Sequence, residues 1–199
     1  MSDVTLPSRF NRVAAVFVWA GAAFLAVVAL MEGGLGTLWL YPAAVLMAVW
    51  AWVALWQPHV GIGEKGVHVE NVTHRVDVPW EALVHVETRY ALTLVTPHAR
   101  FAAWAAPAPG ALRAAAVGRR ADNRELRASG GPARPGDLMG TESGDAAVVI
   151  REAWQERVAR GEVAVGVADE LTVHRVPRTG AICALALALA ATVLAFTLR

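Results

Sequence analysis

The stretch Val13–Met31, VAAVFVWAGAAFLAVVALM, runs 19 residues without a charge. A hydrocarbon layer about 30 Å thick needs roughly 20 helical residues at about 1.5 Å each, so the stretch reads as a membrane span. Arg9 and Arg12 precede it, as they would in a cleaved signal peptide. Signal cores end by about 15 residues, however, and this one is longer. A second uncharged run, Thr37–Trp56 (TLWLYPAAVLMAVWAWVALW), follows after only Glu32-Gly33-Gly34-Leu35-Gly36. The two form a helical hairpin. A third, Thr179–Leu198 (TGAICALALALAATVLAFTL), lies near the far end of the chain. Pro42 predicts a kink in the second run, because proline removes a backbone donor. Trp39 and Tyr41 mark one end of that run and Trp52 and Trp56 the other, where amphipathic rings meet the headgroups.

The composition agrees with this reading. Of the 199 residues, 56% are apolar and only 18% are charged, against about 25% charged in soluble proteins. The 18 basic and 17 acidic residues nearly cancel, which excludes a polyanion-binding or disordered chain. One cysteine excludes a disulfide framework or a multi-cysteine zinc site. That residue, Cys183, falls inside the third run and reads as a small apolar packer. No ionisable group interrupts any of the three runs, which argues against a permease, pump or channel. Arginines flank the N-terminal tail (Arg9, Arg12) and the third run (Arg175, Arg178), whereas the hairpin turn has none. The positive-inside rule then expects a multi-pass inner-membrane protein. Its N-terminus and residues 57–178 would face the cytosol, and its C-terminus the outside.

Residues 57–117 change character. Gly66–Glu70 (GVHVE), His74–Val78 (HRVDV), Leu83–Glu87 (LVHVE), Ala91–Thr96 (ALTLVT) and Arg100–Trp104 (RFAAW) alternate apolar and polar residues. Period two at roughly ten-residue spacing predicts half-buried antiparallel strands in a sandwich or small barrel. Residues 118–144, rich in Gly, Pro and Arg, read as a flexible loop or linker. Residues 145–161 predict an amphipathic helix. Ala147, Ile150, Trp154 and Val158 share one face, Asp145 is the N-cap, Glu156 and Arg160 form an i,i+4 pair, and Gly161 is the stop. Residues 162–178 form a connector. The expected organisation is a tail (1–12), a hairpin (13–31 and 37–56), a strand domain (57–117), a loop (118–144), a helix (145–161), a connector (162–178) and a last span (179–198).

The run Glu64-Lys65-Gly66-Val67-His68-Val69-Glu70-Asn71, followed by His74-Arg75-Val76-Asp77-Val78-Pro79-Trp80, resembles the bacterial pleckstrin-homology-like domains of small actinobacterial membrane proteins. These include the family named for low-molecular-weight protein antigen six. A glycine opens a strand ending in Asn, a basic residue sits in the return strand, and Val-Pro-Trp precedes an acidic turn. The resemblance covers about residues 57–117, a third of the chain. It implies an α+β membrane protein, with a bent antiparallel sheet or barrel closed by a C-terminal helix, here 145–161. It also implies a non-catalytic, membrane-tethered binding or scaffold module facing the cytosol. The 40 Ala and 17 Arg against one Lys accord with a GC-rich bacterial source.

Other motifs compete with this reading. Gly61-Ile62-Gly63-Glu64-Lys65-Gly66 matches GxGxxG, but a dinucleotide loop must open a helix and here a strand follows. His68, Glu70, His74, His85 and Glu87 are the densest possible metal-ligand set, and a membrane enzyme or metal site on the His68/Glu70/His85/Glu87 face is one alternative. The polar face of solvated strands has the same pattern, and neither HExxH nor CxxC is present. GxSxG is absent, and Ser129 and Ser143 fall in the loop. Lys65, Arg75, Arg89, Arg100 and Arg113 alternate with Glu64, Glu70, Asp77, Glu81 and Glu87, which argues against phosphoinositide recognition. Arg119, Arg120, Arg124 and Arg127 are broken up by Asp122 and Glu125. Trp80, Trp104 and Trp154 read as core aromatics, with Trp154 plugging the barrel mouth. No catalytic, cofactor or metal residue is assigned. The expected partners are the bilayer and another membrane or cytosolic protein, without nucleic acid. A further alternative is an accessory subunit assembled through its spans, with Gly21, Ala22 and Ala26 allowing close helix packing.

Overall fold

The computed structural model describes residues 4–108, 117, 138–164 and 166–198. The chain is α+β, with antiparallel strands and apolar helices. It divides into two units.

The first unit holds the strands. β1 (Val4–Pro7), β2 (His59–Ile62), β3 (Gly66–Glu70) and β4 (His74–Pro79) pair antiparallel in succession, and β8 (Arg175–Pro177) lies beside β4. β5 (His85–Glu87), β6 (Ala91–Val95) and β7 (Arg100–Pro107) form a second antiparallel sheet. Register follows the alternation. Val60 faces Val69, Val69 faces Val76 and Val67 faces Val78, so one face of each strand is apolar. These valines are buried with Leu92, Leu94 and Phe101 of the second sheet. Pro79 ends β4, and the tight turn Trp80–Ala82 carries the chain from one sheet to the other.

Helix α3 (Glu142–Ala159) packs on β5, β6 and β7. Ala147 and Ile150 are fully buried, and Trp154 and Val158 lie against the core. The Glu156–Arg160 pair forms at 3.5 Å, and Gly161 turns the chain with φ +70°. The helix starts three residues before the expected Asp145. Thr141 is the N-cap, its hydroxyl accepting from the Gly144 N–H, while Asp145 instead accepts from the Gly140 N–H at 2.6 Å. Ser143, expected in a loop, is buried in the first turn. Of the expected 118–144 loop, residues 118–137 lie outside the described residues, as do Arg113, Arg119, Arg120, Asp122, Arg124, Glu125, Arg127 and Ser129.

Residues 4–7 of the expected N-terminal tail are part of the sheet. β1 adds to the edge of β2, with Val4 opposite Ile62 and Pro7 opposite His59. Four residues with a proline at the end carry too little alternation to announce a strand. The partner that selects the conformation lies beyond the whole hairpin.

The second unit holds the apolar helices. α1 (Arg9–Glu32) and α4 (Thr179–Thr197) are long and apolar enough to cross a membrane. The expected span 37–56 is not. Leu35–Thr37 forms a 3-10 turn, and the helix runs only over Leu40–Trp56, ending in a π-helical turn at Trp52–Trp56. Its 17 residues reach about 25 Å, short of the roughly 30 Å core. Two helices long and apolar enough to span therefore stand where three spans were expected. Pro42 sits in the first turn of α2 (Leu40–Ala51), where a missing N–H has no helical partner to lose. The irregularity lies at the other end, in the π turn. Ala15, Ala22 and Ala29 of α1 are buried at seven-residue spacing, and so are Ala44 and Ala51 of α2. Small side chains at two-turn intervals let the two backbones approach closely.

Candidate functional site

The polar faces of β3, β4 and β5 carry the chemistry-bearing residues noted in the sequence. β3 and β4 pair directly, so His68 faces Asp77 and Glu70 faces Arg75. The His68 Nδ1 lies 2.5 Å from Asp77 Oδ1. Arg75 donates to one Glu70 oxygen through Nε at 3.0 Å and through a terminal nitrogen at 2.7 Å. That hydrogen bond, and then the Glu70 charge, raise the Arg75 guanidinium above its ordinary range. On β5, His85 lies 3.1 Å from Glu87, which also faces Arg100 at 3.6 Å. His74 lies 3.1 Å from the Thr73 hydroxyl.

These contacts divide the set. His68 and Glu70 belong to the first sheet, His85 and Glu87 to the second, and each histidine faces an acid of its own sheet. Among the described residues, no three His, Cys, Asp or Glu side chains gather as a metal site would require. The basic residues are similarly occupied: Arg75 and Arg100 face acids, and Arg89 lies over the ring of Tyr90 at 5.1 Å. Cross-strand pairs of this kind are the ordinary finish of a solvated sheet face.

The GxGxxG run spans the end of β2, a turn and the start of β3. The Gly63 N–H donates to the Gly66 carbonyl at 2.9 Å, closing that turn. No helix N-terminus follows it, so the run has no phosphate cradle. Gly66 is needed for a different reason. A Cβ there would sit 2.1 Å from the Val78 carbonyl oxygen.

The three tryptophans part company. Trp80 is 2% exposed, and its indole donates to the carbonyls of Gly63 and Glu64. Trp154, partly buried, donates to the Trp80 carbonyl at 3.2 Å. Between them lies Arg157, 4% exposed, its guanidinium 4.7 Å from the Trp80 ring centre and bonded to the carbonyls of Gly63 and Ala153. By its place in the last turn Arg157 suits the negative end of the α3 dipole, yet it is buried. Its position one turn after Ala153 and Trp154 was the available signal, since it continues the buried face of α3.

Trp104, expected in the core, is 55% exposed. It occupies an outward position of β7, where Phe101, Ala103 and Ala105 point inward. The backbone beneath it is fixed by Asn71. That buried side chain donates to the Ala102 carbonyl at 2.9 Å and accepts from the Trp104 N–H at 2.8 Å, standing in for a strand partner. A large aromatic on a rigid strand is the form a binding hot spot takes. Two concavities lie among the described residues. One of about 110 Å³ lies beside Val4, Ile62, Val149 and Arg157 in the strand unit. The other, about 400 Å³, is an open alanine-lined groove between α1 and α2.

Compared with family models, curated proteins and solved structures, the chain matches none.

Proposed function

We propose that the protein is a non-catalytic, membrane-tethered binding or scaffold module. Its strand unit, similar to pleckstrin-like domains, would stand at the cytosolic face of a bacterial inner membrane. The pairing of β1 with β2 carries this reading. The chain leaves the sheet at Ser8, runs through α1 and α2, and re-enters at His59 beside the strand it left. A segment whose two ends pair in one sheet begins and ends on one side of the membrane. The chain leaves once more, through β8 into α4. Arg9, Arg12 and Arg178 flank the ends of α1 and α4 that join the strand unit, as a cytosolic domain requires. The sheets, with α3 packed on β5–β7, support the likeness to pleckstrin-like domains.

Exposed Trp104, held by Asn71, is the proposed contact residue for a protein partner. Photo-crosslinking from position 104 in native membranes is expected to trap a discrete protein species, and Trp104→Ala is expected to abolish binding of that species. Adducts with lipid alone would remove the reading.

The groove between α1 and α2 favours a second reading, an accessory subunit assembled through its spans. Ala22, Ala23 and Ala26 face Ala44 and Ala48 across it, a surface suited to a further helix. Exchanging the helices for unrelated apolar ones separates the two readings. Retained activity favours the domain, and lost activity the spans.

A further inference from the structure

We infer that the arginine-bearing ends of the apolar helices form a site for the phosphate of an anionic phospholipid headgroup. The inference rests on reading these helices as membrane segments. Arg9 and Arg12 lie in the first turn of α1, α2 ends through Trp56 and Gln57, and Arg178 is the N-cap of α4. The Arg12 guanidinium lies 5.0 Å from a Trp56 ring centre. The Arg178 guanidinium donates to the side-chain carbonyl of Gln57. Trp56 and Gln57 are consecutive, so cations from two distant helix starts are fastened to neighbouring residues of a third helix. The π turn places them, with the Gln57 N–H bonding back to the Trp52 carbonyl at 3.0 Å. The start of α4 is held as well, its Arg178 N–H donating to the Thr73 carbonyl at 2.9 Å.

Within the helical unit this end carries no acid. Among the described residues of the helical unit the sole acid is Glu32, at the opposite end of α1. Neither Arg9 nor Arg12 has a hydrogen bond or ion pair to any described residue. The Trp56 ring offers the Arg12 guanidinium no hydrogen-bond acceptor, so its N–H groups are not spent on this contact. Those groups form a planar fork matched to two non-bridging phosphate oxygens. Inorganic phosphate offers the same oxygens. The surroundings favour a lipid, because Phe10 and Trp52 beside the cations are 62% and 46% exposed, apolar surface that a free ion leaves bare.

The test uses the full chain in neutral detergent. Native mass spectrometry follows retention of phosphatidylglycerol against phosphatidylcholine of the same acyl chains. Preferential retention of phosphatidylglycerol is expected. Arg12→Gln and Arg178→Gln should each lower it about fivefold while phosphatidylcholine stays unchanged. Arg12→Lys should restore only part, since it returns charge without the fork. Arg9→Gln, which removes no hydrogen bond or ion pair to a described residue, is the variant to use if Arg178→Gln fails to fold. Equal retention of the two lipids, or phosphatidylglycerol binding that no substitution weakens, would overturn the site. Displacement of phosphatidylglycerol by millimolar inorganic phosphate, whatever the acyl chain, would assign the site to a free anion and overturn the lipid. Carbonate extraction of membranes separates the two levels of inference. A chain that stays in the pellet without lipid preference rejects this site alone, and a chain in the supernatant rejects the spans.

Discussion

Arg157 stacks its guanidinium 4.7 Å from the ring centre of Trp80, and both side chains are almost wholly buried. The contact fastens α3 to the turn between β2 and β3, because the guanidinium and the indole both donate to the Gly63 carbonyl. A buried charge is tolerated only where hydrogen bonds and polarisable surface replace water. Here two carbonyls and an aromatic face do so.

Arg157→Ala removes those bonds and the stacking together and leaves a cavity. A loss of about 2–4 kcal/mol is expected, read from the denaturant midpoint of the strand unit in the detergent-solubilised chain. Arg157→Met should recover part of it, since a thioether chain fills the space without a buried charge. An unchanged midpoint for the alanine variant would mean that the clamp contributes nothing.

Asn71 supplies β7 with the donor and acceptor that a neighbouring strand would have given. Asn71→Ala deprives the Ala102 carbonyl and the Trp104 N–H of this partner in a part-buried setting. The expected cost is about 1–2 kcal/mol. Amide hydrogen exchange gives the sharper readout: Trp104 should lose protection while Val69 and Val76 in the first sheet keep theirs. Uniform loss across both sheets would show that Asn71 supports the whole unit rather than this edge.

Much of this fold was legible because period two and long uncharged runs are local signals. Gly66–Glu70 and Ala91–Val95 are strands with the bounds or nearly the bounds that alternation implies. What escaped depends on partners far away in sequence. Val4–Pro7 becomes a strand only because His59–Ile62 offers it an edge. The strand His59–Ile62 in turn is four residues broken by a glycine, too short to announce itself by alternation. Thr37–Trp56 shows the limit of composition: its 20 residues are uncharged, yet a 3-10 turn at Leu35–Thr37 shortens the helix. Trp104 shows the limit of residue type. An aromatic in a strand is usually inward, and only its register against Phe101 and Ala103 reveals that it points out.

Gly66 marks the closest approach between β3 and the end of β4. A methyl group at this position would meet the Val78 carbonyl at 2.1 Å and the Pro79 Cα at 2.9 Å, both backbone atoms that cannot rotate away. Gly66→Ala is therefore expected to open the hairpin at this end and cost about 3 kcal/mol or more. Gly36→Ala is the control, with open space around its position. Parallel unfolding curves should separate the two variants clearly. Equal stability would show that β3 and β4 part without consequence.

Orientation in the membrane can be tested with the chain's own charge asymmetry. Arg9, Arg12 and Arg178 lie at the ends of α1 and α4 that adjoin the strands, and Glu32 lies at the hairpin turn. Arginines resist translocation, so the turn is expected outside and the strand unit inside. Cys183, the single cysteine, is replaced by alanine so that new thiols report alone. Gly36→Cys then places a thiol in the turn, and Glu162→Cys places one in the strand unit after α3. A membrane-impermeant maleimide should label the first in intact cells and the second only after the membrane is opened. The opposite pattern would invert the protein and place the strand unit outside the cytosol. Labelling of both in intact cells would put turn and strands on one side, which a hairpin that crosses the bilayer forbids.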